Sequence, residues 1–185
     1  SQHHRVIAWD MPGYGESDLL PDTTFTSLVA ALCEFMDDLG IAAAHIMGQS
    51  IGGMIAQELA ITHPERVASL GLIATTPAFG GRDDSFKQQF LADRLKPLDN
   101  GLTLADLAPK FVPQIVGSIA SDAVIQAATQ TMSRVSDESY RAILRCLVTF
   151  NRYADTAKIT QPSIVIAGSE DTNPPAPPMQ KMAAN

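Results

Sequence analysis

Ser50 stands in the run Gly48-Gln49-Ser50-Ile51-Gly52, between the apolar stretch AAHIM and the helix-like GMIAQELAITH. A serine hydroxyl becomes a nucleophile when the backbone presents its Oγ in the open and a base takes its proton. The spacing G-x-S-x-G suits a sharp strand-to-helix turn that holds the serine in an unfavourable backbone region. Gly48 and Gly52, lacking a Cβ, would let strand and helix pass close together. The helix that follows starts with free N–H groups and positive potential, which places the Ile51 N–H to receive a developing oxyanion. A phosphate loop would need Lys and then Ser or Thr where Met54 and Ile55 stand, and no dinucleotide fingerprint is present. A purely structural turn is the plain alternative.

An activated serine needs a base, normally a histidine held by a carboxylate. Asp171 follows the apolar run SIVIAG within three residues, at the sheet end where the serine turn should lie. Glu170 beside it is the second candidate, and a simple loop turn is the alternative role for Asp171. The base is harder to find. The four histidines are His3, His4, His45 and His63, and all precede Asp171. His63 comes before Pro64 at a helix end, His45 opens the strand into Ser50 at its far end, and His3 and His4 read as solvated. None is assigned as the base, and no metal or organic cofactor is expected.

The elements that must position these residues follow from the apolar pattern. RVIAWD (5–10), AAHIMG (43–48), RVASLGLIAT (66–75) and SIVIAG (163–168) read as short strands, nearly continuous in apolar character. Strands of that kind are covered on both faces, as in a parallel sheet flanked by helices. FTSLVAALCEFMDDLG predicts a helix with Thr26 as its cap and Gly40 as its stop. Between Pro77 and Lys158 strand patterns give way to four helical ones, and Thr103 three residues before Asp106 marks one start. The expected organisation is an α/β core from residues 1–77 and 158–185, with a helical cap inserted at 78–157. Helices that simply cover the sheet are the alternative. NPPAPP (173–178) reads as a stiff loop.

A length of 185 residues, 45% hydrophobic and 18% charged, fits one globular domain. The net charge of −7 argues against a nucleic-acid surface, and no run is long enough for a membrane helix. Cys33 and Cys146, the two cysteines, fall in helical patterns and read as buried, reduced thiols of a cytoplasmic protein.

RVIAWDMPGYGESD, HIMGQSIGGMIAQELAITHPERVASLGLI and ITQPSIVIAGSEDTNPPA resemble, in order, three segments of the α/β-hydrolase fold family. Within it, GGMIAQELA and GSEDTNPPA look most like 3-oxoadipate enol-lactonases and their esterase-like neighbours. The resemblance implies an ester or lactone hydrolase working through an acyl-enzyme. Gly48, Gln49 and Gly52 would form the nucleophile elbow around Ser50, the Ile51 N–H would help hold the oxyanion, and Asp171 would be the acid. It also implies a base that follows the acid in the chain, yet the 14 residues after Asp171 contain no histidine. Earlier strands and a His-Gly loop with a second oxyanion donor are implied too. The expectation is a partial chain, inactive alone, whose base lies beyond Asn185. The partner would be a small-molecule ester or lactone, selected by the cap, where Phe79, Phe86, Phe90 and Phe111 could line an apolar site or form the cap's own core. A cofactor-free haloperoxidase or perhydrolase, a C–C bond hydrolase, or a non-catalytic binding protein on the same fold are the alternatives.

Overall fold

The computed structural model describes residues 3–80, 84–171 and 176–184. Three parallel strands, β1 (Ala44–Gln49), β2 (Val67–Ile73) and β3 (Ser163–Ile166), pair in the order β1-β2-β3. Gln49 lies opposite Ile73, and Ile73 opposite Ile166, so the three strands finish level. Whatever follows them emerges at one edge of the sheet.

Alternation along the strands gives the sheet two unlike faces. Ile46, Leu70, Leu72 and Val165 point into the main core, against α1 (Phe25–Asp38) and α2 (Ile51–Thr62), with Leu28, Met36, Met54 and Leu59. On the other face Met47 is 68% exposed, Ile164 59% and Ile166 41%. The described residues cover one face and leave the second bare. RVIAWD is not a strand: no neighbour among the described residues supplies a ladder, Val6 and Ile7 are exposed, and Trp9 is held only by side-chain packing, its ring centroid 6.4 Å from that of Phe35. Apolar extended sequence is insufficient without a backbone partner.

The cap of α1 is Thr24, not Thr26. Thr24 has extended backbone and its side chain accepts from the Ser27 N–H, while the Ser27 hydroxyl accepts from the Thr24 N–H. Thr26 already sits inside the helix. Gly40, at φ +67°, ends it as expected.

Between β2 and β3 the chain makes a helical excursion through α3 (Asp84–Asp99), α4 (Leu104–Phe111), α5 (Asp122–Ser133) and α6 (Asp137–Leu147). Thr103 and Asp106 form a capping box at the start of α4. The excursion leaves and returns through a neck: Ala78 bridges Asn151, the Phe79 N–H donates to Phe150 O at 2.9 Å, and the Arg152 N–H to Pro77 O at 2.7 Å. Arg152 then grips Glu58 of α2, its Nε 2.6 Å from Oε2 and its Nη2 on Oε1. Glu58 is 3% exposed, so the neck is pinned to the core by a charged pair with one end out of water.

Both cysteines are free thiols; Cys146 is buried, whereas Cys33 is only half-buried, because its side of α1 faces partly outward. The proline run 173–178 falls partly outside the described residues, and from Ala176 onward it opens α7 (Ala176–Ala183). No helix among the described residues is long and apolar enough to cross a membrane.

Candidate active site

β1 enters a turn at Ser50 and leaves it as α2. Ser50 has φ 51° and ψ −118°, a conformation costly for a residue with a Cβ. Four hydrogen bonds hold it there. Its N–H donates to Ile73 O at 2.9 Å, its carbonyl accepts from the amides of Gly53 and Met54, and Thr75 Oγ1 donates to that same carbonyl at 2.8 Å. The side chain is exposed, at the open end of the sheet. No backbone acceptor among the described residues takes the N–H of Ile51, the first residue of α2. An exposed hydroxyl therefore sits beside an unused amide at a helix start, where the backbone dipoles favour negative charge.

The glycines divide differently from the sequence reading. A Cβ on Gly48 would lie 2.2 Å from the backbone of Gly52, so the strand does require a glycine there. A Cβ on Gly52 would meet nothing within 4 Å. The second close approach belongs to Gly53, where a Cβ would come 2.6 Å from Thr75 Cγ2. Helix and strand touch through Gly48 and Gly53, and Gly52 contributes its backbone but does not need to lack a side chain.

Sequence reasoning missed the support behind this turn. Thr75 is 1% exposed and braces both Ser50 and Gly53. Ala74 before it takes φ 44° and donates its N–H to Ile166 O at 2.9 Å, so β2 ends in a second strained residue. Gln57, buried one turn along α2, ties Gly53 O to Thr76 O through Nε2. A glycine at position 74 would have signalled the left-handed backbone; an alanine does not.

Asp171 lies on a turn that begins two residues after β3, at the same sheet edge as Ser50. Its Oδ2 accepts from the Gly168 N–H at 3.0 Å, and its own N–H donates to Gly168 O at 3.2 Å. Glu170 points elsewhere. Both of its carboxylate oxygens accept from Ser118, Oε2 from the N–H and Oε1 from the hydroxyl, each at 2.6 Å. Those bonds hold its carboxyl below the usual range, the side-chain bond first and the backbone bond second. Of the two acids, Glu170 is committed to the helical excursion and Asp171 to its own turn.

The histidines are engaged away from this edge. His45 Nδ1 lies 2.7 Å from Ser69 Oγ at the start of β1, with the His4 ring edge-on at 5.9 Å, and His63 Nδ1 lies 2.9 Å from Thr62 Oγ1. Phe79, Phe86 and Phe90 stack on one another, with Phe79–Phe90 centroids 4.8 Å apart. Arg94 covers Phe111 at 4.1 Å. Two open cavities, of about 750 and 260 Å³, lie between α6 and the Asp18–Thr23 loop and within the helical excursion, and neither is lined by Ser50 or Asp171. Among the described residues no group of three or more His, Cys, Asp or Glu is placed to hold a metal ion.

Residues 1–175 match the family described as alpha/beta hydrolase fold. The chain belongs to the α/β-hydrolase family. A pimeloyl-[acyl-carrier protein] methyl ester esterase from Salmonella heidelberg is 29% identical over 134 residues, which are 67% of this chain and 51% of that protein. Among solved structures, a hydrolase from Pseudomonas aeruginosa superposes with a TM-score of 0.82 at 24% identity, over 94% of this chain and 65% of its own. The enol-lactonase from Burkholderia xenovorans gives 0.79 at 21% identity, over 94% and 66%. The chain thus spans about half the length of this curated relative and two thirds of these solved hydrolases. At these identities the structures share its fold. Among the described residues the sheet has three strands, a short sheet for this fold and consistent with that partial length.

Proposed function

We propose that the protein carrying this chain cleaves small carboxylic esters or lactones through an acyl-enzyme. The observation that carries the reading is Ser50 itself, held at φ 51° with an exposed hydroxyl beside the unused Ile51 amide. Ser50 Oγ attacks the substrate carbonyl, and its proton passes to a histidine supplied from outside these 185 residues. The Asp171 carboxylate orients that imidazole and offsets its charge once it is protonated. The Ile51 N–H donates to the tetrahedral oxyanion. The histidinium returns the proton to the departing alkoxide, and water then repeats the sequence on the acyl-serine to release the carboxylic acid.

In the same reading the helical excursion, residues 78–157, is a cap that selects substrate. The 185-residue chain alone does not turn over. A missing base costs on the order of 10⁶ in rate, and a missing oxyanion donor roughly 10²–10³ more. A second reading, a non-catalytic binding protein, draws on the placement of His45 and His63 away from Ser50.

Fluorophosphonate labelling of the full-length protein tests both. Labelling that vanishes in Ser50→Ala, with acid and alcohol products found by mass spectrometry, is expected. No labelling, together with ligand binding indifferent to Ser50→Ala, would replace the hydrolase by the binding protein.

A further inference from the structure

Two attachments hold the helical excursion to the sheet domain, and they are unlike. At the neck, Arg152 grips Glu58 with two hydrogen bonds, and the carboxylate is 4% exposed. At the far side, Ser118 meets Glu170 through two hydrogen bonds of 2.6 Å between residues 52 apart in sequence, both exposed. A buried carboxylate left without its guanidinium would be stranded away from water, so the neck pair stays closed. Water can replace either partner of the exposed pair at little cost, so that pair can let go.

The position of the exposed pair gives it consequence. Glu170 immediately precedes Asp171, inside the turn closed by the two Gly168–Asp171 hydrogen bonds. Gly117 packs beside it, its missing Cβ 3.5 Å from Glu170 Oε2, in ordinary contact. The turn that carries Asp171 is therefore fastened on one side by its own backbone and on the other by the excursion.

We propose that Ser118 and Glu170 form a releasable latch that closes the helical excursion toward the carboxyl edge of the sheet and, while closed, positions Asp171. The excursion pivots about the Arg152–Glu58 neck, and opening frees the Asp171 turn at the same moment. Ser118 and Glu170 are positioning residues: neither touches the reacting atoms. The inference rests on the reading of Asp171 as the carboxylate that orients the base.

Amide hydrogen exchange in the full-length protein tests the latch without reference to turnover. In Glu170→Ala, the residue-118 and Asp171 amides should both exchange on the order of tenfold faster, the factor that a lost hydrogen bond of ordinary strength implies. Ser118→Ala, which loses the hydroxyl bond but keeps the residue-118 N–H on Glu170, should speed both by a smaller factor. Ser118→Thr, which keeps the hydroxyl, should restore protection at both amides. Ester hydrolysis by the same variants should lose kcat more than KM, and Ser118→Thr should recover it. Unchanged exchange in the alanine variants would overturn the latch. Faster exchange at Ser118 alone, with Asp171 still protected, would overturn its coupling to the acid. If both amides respond while Ser50 resists labelling, the latch stands and the hydrolase reading falls.

Discussion

Thr75 Oγ1 donates to the carbonyl oxygen of Ser50 at 2.8 Å, across from the neighbouring strand, and the same threonine's methyl packs over Gly53. One side chain thus holds the carbonyl of the strained residue and fills the space over the first turn of α2. Thr75→Val keeps the shape and removes the donor. It should cost about 1 kcal/mol in urea unfolding and slow fluorophosphonate labelling of Ser50, while Thr75→Ser keeps the labelling rate. Equal labelling of Thr75→Val and wild type would show that the turn holds its geometry without this bond.

Substitution at the glycines should separate motif from mechanics. Gly48→Ala forces a Cβ to within 2.2 Å of the Gly52 backbone and should prevent folding. Gly53→Ala presses on Thr75 and should cost about 1–3 kcal/mol. Gly52→Ala meets open space inside a helix and should raise stability by up to about 1 kcal/mol. Thermal midpoints of Gly53→Ala and Gly52→Ala against the unsubstituted protein check those two, and a missing cooperative transition checks Gly48→Ala.

Removing the guanidinium from the neck leaves Glu58 buried and uncompensated. Arg152→Ala should destabilise by about 3 kcal/mol, at the low end for a buried pair because water reaches one side of Arg152. Asp155→Ala, which leaves the Arg152–Glu58 pair intact, should cost much less than Arg152→Ala. Chemical unfolding of the two variants side by side measures the difference.

Burial pushes the Cys146 thiol up to about 11, with Asp22 adding to the effect, and raises that of Cys33 by a smaller amount. At pH 8 the thiolate of Cys146 is about one part in a thousand, so a disulfide reagent should modify Cys33 first and reach Cys146 only on unfolding. The sign of the linkage follows from a raised folded value. The unfolded thiol ionises near 9.0, so stability holds below that pH and falls between 9 and about 11. Urea midpoints across that interval, compared with Cys146→Ala, isolate the contribution.

Local signals carried much of this architecture. The Ser50 turn, the Thr103–Asp106 cap, the Gly40 stop and the four helices after β2 are each encoded within a few neighbouring residues, so spacing was enough to read them. What escaped depends on partners distant in the chain. Residues 5–10 have strand composition, but a strand exists only where another offers its hydrogen bonds. Glu58 and Arg152 are 94 residues apart, and neither has a neighbour that announces the other. Thr75 and Ala74 look ordinary in sequence because their roles come from β1 and β3, not from their own strand. The Asp171 turn was placed correctly at the sheet edge, while the commitment of Glu170 to Ser118 could be seen only in three dimensions.

The neck also bears on the order in which the chain can assemble. β2 and β3 are separated by the 89 residues from Ala74 to Pro162, and closing a loop of that size before any pairing reward is slow. Once Ala78 meets Asn151, the excursion is tied off as a side loop, and only about 15 residues separate the two strands. Logarithmic scaling makes the second closure easier by about 1.5 kcal/mol, more than tenfold in rate if closure limits it. A neck that zips before the sheet is complete predicts that weakening Ala78–Asn151 slows refolding far more than it speeds unfolding, as stopped-flow refolding and unfolding rates would show.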